Sequence, residues 1–320
     1  MNTPTVTAAQ ETGVEHAGFR HEALLYEADR EFVAAATSFI CEGVTANEPT
    51  LVMVPGEKVT RLREQLDPSE LVSFADMHEV GSNPARIIPA WRSFTAQHDG
   101  KRLRGIGEPI WPERRRAELA ECQLHESLLN LAFADAPAFR LLCPYDTAAL
   151  SADVIAEARR SHPFVLAGDR PTHSPEYHGL EAVLATFDGD LPTPPDHAAE
   201  LAFGPGQLVH VRAFVSHHAA STGLGKARVG DLVTAINELA TNSLLYGGAY
   251  GSVRIWADTD GLSCEVRDEG TISDPLVGRR SPDTDQNGGR GMWMANQLCD
   301  LVRVRSSSAG TIVRVHMRHR

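Results

Sequence analysis

No apolar run in the 320-residue chain approaches the roughly 18 residues that a membrane-spanning helix needs. An excess of basic residues is also missing. The formal charge is −12, which argues against a generic nucleic-acid binder. Cysteine is scarce, odd in number and widely spaced, at Cys41, Cys122, Cys143, Cys264 and Cys299, with no C-x-x-C pair. That pattern suggests neither a disulfide framework nor a zinc site, and fits buried thiols in a reducing compartment. Neither the Walker pattern G-x-x-x-x-G-K-[ST] nor a dinucleotide fingerprint occurs. Residues 1–18 are polar and lack the basic start and apolar stretch of a secretory signal, so they read as a disordered cytoplasmic tail.

What is present is an ordinary globular composition, 42% hydrophobic, 22% charged and 6% aromatic, in a chain long enough for two domains. The clearest seam is Asp188-Gly-Asp-Leu-Pro-Thr-Pro-Pro-Asp196, whose three prolines in nine residues oppose regular structure. It predicts a first domain over 19–187, a proline-rich linker over 188–205 and a second domain over 206–320. Acid is concentrated before the seam. Residues 206–320 hold 13 Lys and Arg against 11 Asp and Glu, out of 30 and 42 in the chain.

In the first domain, apolar runs at Thr50–Val54 and Phe139–Cys143 read as buried strands. They alternate with helical patterns over 29–46, 59–66, 86–97, 114–133 and 148–160. This predicts an α/β domain with a mostly parallel sheet covered on both faces. In the second, helices over 207–221 and 229–246 precede strands over 252–258 and 262–268. A loop rich in Gly, Pro and Asp follows, then a short helix over 292–298 and strands over 301–305 and 311–317. The expectation is an α+β two-layer sandwich, with helices on one face of a mixed sheet.

Three motifs in the second domain carry chemistry. In Glu238-Leu-Ala-Thr-Asn242 the spacing of four puts a carboxylate and a carboxamide on one helix face. A carboxylate can take a proton from a hydroxyl, and an amide oxygen suits magnesium. Asp268-Glu-Gly270 falls at a strand end, where the acid can accept a hydrogen bond from an exocyclic amine such as that of adenine, and glycine permits close approach. Asn287-Gly-Gly-Arg-Gly291 leads into a helix, so that its backbone N–H groups and dipole suit phosphates, with Arg290 as an added cation.

The order Glu238-x-x-x-Asn242, Asp268-x-Gly270, Gly289-x-Gly291 resembles the N, G1 and G2 boxes of the Bergerat-fold ATPases. The local sequences are similar to those of the RsbW-type anti-sigma serine/threonine kinases of actinobacteria. Residues 19–187, with Phe19-Arg-His-Glu-Ala-Leu-Leu-Tyr26 and Leu141-Leu-Cys-Pro-Tyr-Asp146, look similar to the MEDS sensory domain coupled to such kinases. The resemblance implies ATP and Mg2+ as cofactors. Glu238 would be general base, Asn242 the metal ligand and Asp268 with Gly270 the adenine site. Gly289 and Gly291 would form the phosphate cradle, joined by Arg290 on the strength of its charge and position. It further implies a sigma factor and an anti-anti-sigma protein as partners, and a small-molecule or protein signal at the first domain. Transcription regulation in a stress response follows, in the cytoplasm, without direct nucleic-acid or membrane contact and with homodimerisation left open. Thr271-Ile272 departs from relatives that carry a further glycine there, which points toward weak binding or slow turnover.

The same residues admit two other readings. In one, the domain is a binding module that sequesters a sigma factor or its antagonist without transfer. In the other, His125-Glu126 serves a sensor histidine kinase, although some 80 residues separate it from the ATPase-like part. His125, His217 and His218 read more simply as surface or core histidines. So do His21, His78, Trp91, Trp111, Cys143 and Tyr145, a candidate pocket set better explained as core and helix-face packing. Arg114–Arg116 with Glu118 and Glu121 predict ion pairs on a solvated helix face.

Overall fold

The computed structural model describes residues 18–136, 138–166, 170–179, 181, 190–282 and 290–319. Seven strands form the first sheet: β1 (Phe19–Tyr26), β2 (Thr50–Val54), β3 (Val72–Asp76), β4 (Leu103–Gly107), β5 (Phe139–Asp146), β6 (Phe164–Leu166) and β7 (Pro171–His173). Their order is β3-β2-β4-β5-β1-β6-β7, parallel except for the β6–β7 edge pair.

Helices α1 (Asp29–Thr45) and α2 (Gly56–Gln65) cover one face. The short α3 (Met77–Val80) and a 3-10 turn, Pro84–Arg86, lead to the other face, which carries α4 (Ile87–Gln97), α5 (Arg116–Ala132) and α6 (Ala152–Ser161). On α1 the apolar stripe is the direct cause of docking. Phe32, Ala36, Phe39 and Ile40 recur at helical spacing and are all buried. On β4, Gly105 is required because a Cβ there would lie 2.8 Å from the Trp91 ring.

The second domain begins earlier than the linker expectation allowed. Ala199–Phe203, read as linker, forms β8 and pairs with β9 (Gly251–Asp258) at the sheet edge. The proline run stops short of it, and its alternating burial needs only one covered face. Helices α7 (Leu208–Ala220), α8 (Lys226–Tyr246) and α9 (Arg290–Leu298) pack on a five-stranded sheet of order β11-β12-β10-β9-β8. Here β10 is Gly261–Asp268, β11 Leu301–Ser307 and β12 Gly310–Arg318. Every pairing in this sheet is antiparallel, so the expectation of a mixed sheet is corrected. On α8, Leu232, Ala235, Ile236, Leu239, Ala240 and Ser243 form the buried stripe.

The domains meet along α5 and the 3-10 turn. Asn83, fully buried, donates to the carbonyls of Asn296 and Cys299, while Arg86 donates to those of Asn296, Gln297 and Cys299. Arg228 of α8 takes the Leu298 carbonyl. The C-terminal end of α9 is thus capped by cations, which satisfies its orphan carbonyls and complements the helix dipole. Glu118 and Glu121 do not face solvent as expected. Glu121 is 1% exposed and accepts from Arg279 at 3.2 Å and Arg305 at 2.8 Å, and Glu118 pairs with Arg318. Local pattern could not show this, because the partners lie 158 and more residues away. Leu276, from the second domain, is buried in the first domain's core. Among the described residues no helix is long and apolar enough to cross a membrane.

Candidate nucleotide site

A cavity of about 350 Å³ opens between α8, the end of β10 and the segment that follows it. That size falls within the roughly 300–1,000 Å³ of small-molecule sites. Its walls are largely apolar, including Leu239, Val266, Ile272, Met292 and Val313, and its polar lining includes Asn242, Ser243, Asp268 and Thr311.

Asp268 ends β10 because the antiparallel pairing with β12 stops there. Its Oδ2 accepts from the Ser243 hydroxyl at 2.6 Å and its Oδ1 from the Gly270 N–H at 2.9 Å. The carboxylate is therefore held in one orientation while its remaining lone pairs stay available. Two glycines are demanded by close approach. A Cβ on Gly247 would lie 2.4 Å from the Asp268 carboxyl carbon, and one on Gly270 would lie 2.6 Å from the Tyr246 carbonyl. Thr311 donates to the Gly270 carbonyl, and the Ile272 N–H donates to Ser306. The departure at Thr271-Ile272 thus places an apolar wall in the cavity and ties its backbone to β11.

Asn242 lines the same cavity, one turn beyond Glu238 on α8. It also touches the start of α9, since a Cβ on Gly291 would meet the Asn242 amide nitrogen at 2.8 Å. The fold therefore brings together Asn242, Asp268, Gly270 and Gly291. Glu238 is absent from the cavity lining, displaced by about 6 Å of helix rise. Arg290 is the first residue of α9 and is exposed. Gly289, with Asn287 and Gly288, lies outside the described residues. Ser243 and Gly247 were missed by sequence reasoning, whereas Ile272, singled out there as a departure, does line the cavity. Ser243 could have been found from its place one residue after Asn242, on the buried stripe of α8.

The candidate pocket set of the first domain does not form one site. Trp91 is core. His78 and Trp111 line a second cavity, of about 490 Å³, with Lys58 and Glu108, at the carboxyl ends of β2, β4 and β5. There Lys58 donates to Glu108 and Tyr26, and burial pushes the Glu108 carboxyl up to about 7 against the pull of Lys58. His21, Cys143 and Tyr145 are buried elsewhere in the core. His125 is 1% exposed, which removes it as an accessible phosphoacceptor in this conformation, and His217 lies exposed on α7.

A largely apolar cavity, a fixed carboxylate at its edge, and an asparagine beside the first turn of α9 make up a small-ligand site on a two-layer domain. Comparison with known families agrees. Residues 201–317 match the model of the histidine kinase-like ATPase domain, and residues 20–163 match MEDS, the MEthanogen/methylotroph, DcmR Sensory domain. The chain joins a MEDS domain to a histidine kinase-like ATPase domain. No curated protein matches it. Among solved structures, the RsbU and RsbW domains of Rv1364c from Mycobacterium tuberculosis match at 22% identity and a TM-score of 0.29, over 40% of this chain. The match spans 33% of that chain's length.

Proposed function

We propose that the protein is an anti-sigma regulatory kinase. In this reading it binds Mg-ATP in the second domain and phosphorylates a serine of an anti-anti-sigma protein, under control of a signal received by the MEDS domain. The observation that carries the reading is the Ser243–Asp268–Gly270 arrangement at the mouth of an apolar cavity, in the motif order of that kinase group.

Asp268 reads the exocyclic amine of adenine, and α9 receives the phosphates at its N-terminus. Asn242 fits a magnesium ion by chemistry, since its amide oxygen is a hard ligand, and it would hold the ion beside the first turn of α9. The metal supplies charge neutralisation on the phosphates. Glu238, one turn before Asn242 on α8, accepts the proton of the serine hydroxyl as its oxygen attacks the terminal phosphate and ADP leaves. The Glu121–Arg279 pair and the Leu276 contact give the first domain a physical hold on the residues that follow Asp268.

Calorimetric titration with ATP, with and without magnesium, tests the site. Asp268→Asn should weaken binding at least about 100-fold, by loss of a buried charge-assisted hydrogen bond and reversal of its polarity. Retained affinity would remove the nucleotide assignment. Glu238→Ala separates the kinase from the binding module. A kinase loses serine phosphorylation and keeps ATP affinity, whereas unchanged phosphorylation refutes the general-base role. The position of Glu238 outside the cavity lining favours keeping the module reading as the second one, in which partner binding survives that substitution.

A further inference from the structure

Four side chains that are distant in sequence converge in the core of the MEDS domain. His21 lies on β1, Glu126 on α5, Cys143 on β5 and His162 just after α6. All four are 1% exposed or less. The parallel register pairs His21 with Leu141 and Ala23 with Cys143, so His21 and Cys143 share one sheet face, and α5 lays Glu126 across it. His21 Nε2 lies 3.1 Å from Glu126 Oε2 and 3.3 Å from Cys143 Sγ. His162 Nε2 lies 3.4 Å from Glu126 Oε2. One donor atom from each residue fits within 4.8 Å of all the others.

The surrounding hydrogen bonds say which atoms face inward. Asn130 donates through Nδ2 to the Ser161 carbonyl at 2.8 Å, which turns its Oδ1 toward His21 Nδ1 at 3.2 Å. His21 therefore carries its proton on Nδ1 and presents a lone pair at Nε2. His162 Nδ1 donates to the Ala158 carbonyl at 2.8 Å, so its Nε2 also presents a lone pair. That nitrogen and Glu126 Oε1 are both buried without a hydrogen-bond partner. Two imidazole lone pairs, a carboxylate and a thiol thus point at one another, with only the Cys143 thiol and the neighbouring Tyr145 hydroxyl to offer Glu126 a proton. Such a convergence of acceptors is costly unless a cation occupies the centre.

We infer that His21, Glu126, Cys143 and His162 form a four-ligand site for a divalent transition metal of the zinc class. A tetrahedral zinc site, with Zn–N about 2.0–2.1 Å and Zn–S about 2.3 Å, separates neighbouring donors by roughly 3.3–3.6 Å, close to the three separations found here. Thiolate and imidazole favour zinc over magnesium or calcium. On binding, the Cys143 thiol releases one proton to solvent. With two neutral imidazoles, one thiolate and one carboxylate, the ligand charge of −2 then offsets the two positive charges of the ion. With four protein ligands no coordination position is left for substrate, so the ion acts on structure or signalling rather than as a catalyst. Asn130 and the Ala158 carbonyl are the groups that fix the ligand tautomers.

The test uses the full chain in a Cys41→Ser background, because Cys41 is the exposed thiol while the other four are buried. Chelator-treated protein is titrated with zinc, and separately with cobalt(II), whose tetrahedral ligand-field bands and thiolate charge-transfer band report geometry and sulfur ligation. The expected result is uptake of about one equivalent, with both spectral signatures. Cys143→Ser should abolish the charge-transfer band, and Cys143→Ser and His162→Gln should each weaken zinc binding at least about 100-fold. Cys122→Ala, which removes a buried thiol bonded instead to the Pro109 carbonyl, should change neither. Folded protein that takes up no stoichiometric metal overturns the inference, as does uptake unaffected by Cys143→Ser and His162→Gln. If those variants fail to fold, the cobalt spectrum of the parent decides: a spectrum without a thiolate band overturns it.

Discussion

Glu121→Gln is the most discriminating perturbation of the seam between the domains. Both oxygens of Glu121 are engaged, Oε1 by Arg305 and Oε2 by Arg279, and the three residues are 1%, 8% and 6% exposed respectively. Removing the one negative charge strands two buried guanidinium groups, and Arg279 already has a buried Nη1 without a partner. Breaking a buried ion pair on one side costs about 3–5 kcal/mol. For a chain of this size each kcal/mol lowers Tm by roughly 2–4 °C, so the transition should fall by roughly 6–20 °C. Arg279 sits three residues after Leu276, which is buried in the first domain's core, and two after Val277, which lines the nucleotide cavity. Release of Arg279 should therefore also weaken ATP binding by at least about fivefold, the lower end of ordinary coupling between sites. Differential scanning calorimetry and ATP titration read the two effects. A joint Glu121→Leu, Arg279→Met, Arg305→Met replacement should recover most of the lost stability, because it removes the stranded charges while keeping the volume. A Tm within 2 °C of the parent, together with unchanged ATP affinity, would show that the triad is neither structural nor coupled to the site.

Gly247→Ala should push the Asp268 carboxylate out of place and reduce ATP affinity at least tenfold with the fold intact, as read by calorimetry beside circular dichroism. Arg86→Ala removes three charge-assisted bonds to the end of α9 and should destabilise by about 2–4 kcal/mol, with faster hydrogen exchange in the last turn of that helix; unchanged exchange would refute the capping role. Glu108 carries a carboxyl raised to about 7 from 4.5, so the folded chain keeps a proton that the unfolded chain loses between those values. Its contribution is fully present below pH 4.5 and is lost as pH rises through 7. The stability of the parent relative to Glu108→Gln should therefore fall by on the order of 3 kcal/mol across that window, and a pH-independent difference would contradict the burial cause.

Much of this architecture was legible because helical and strand periodicities are local. Thr50–Val54 was a strand by its uniform apolarity, and α8 was visible from its stripe and its polar pair. β1 was harder, since His21 and Glu22 interrupt its apolar run. Both are buried, Glu22 against Arg140 and Arg20 and His21 against Glu126, and such partners cannot be seen from the strand itself. β4 was hidden by its two glycines, which the Trp91 ring requires. At the nucleotide site, the motif residues Asn242, Asp268, Gly270 and Gly291 came together, whereas Gly247 and Ser243 acquire their roles only from the three-dimensional closeness of α8 to β10.

The misread helix α5 explains how the two domains form one device. A solvated face was expected for Glu118 and Glu121, yet ten residues of this 17-residue helix are buried, because it is enclosed by its own sheet on one side and by the ATPase domain on the other. Its first half holds the second domain through Glu118 and Glu121, and its second half supplies Glu126 to the histidine and cysteine cluster. Glu121 and Glu126 are separated by about 7.5 Å of rise along a rigid element. A helix packed on both sides has few intermediate positions, since interiors are dense and resist continuous deformation. A shift of Glu126 toward or away from β1 and β5 along this rigid helix would reach Glu121, and through it Arg279, which lies two residues from the cavity-lining Val277. The expected outcome is that zinc and ATP change each other's affinity by the same factor, and ATP titrations that are identical with and without zinc would refute the coupling.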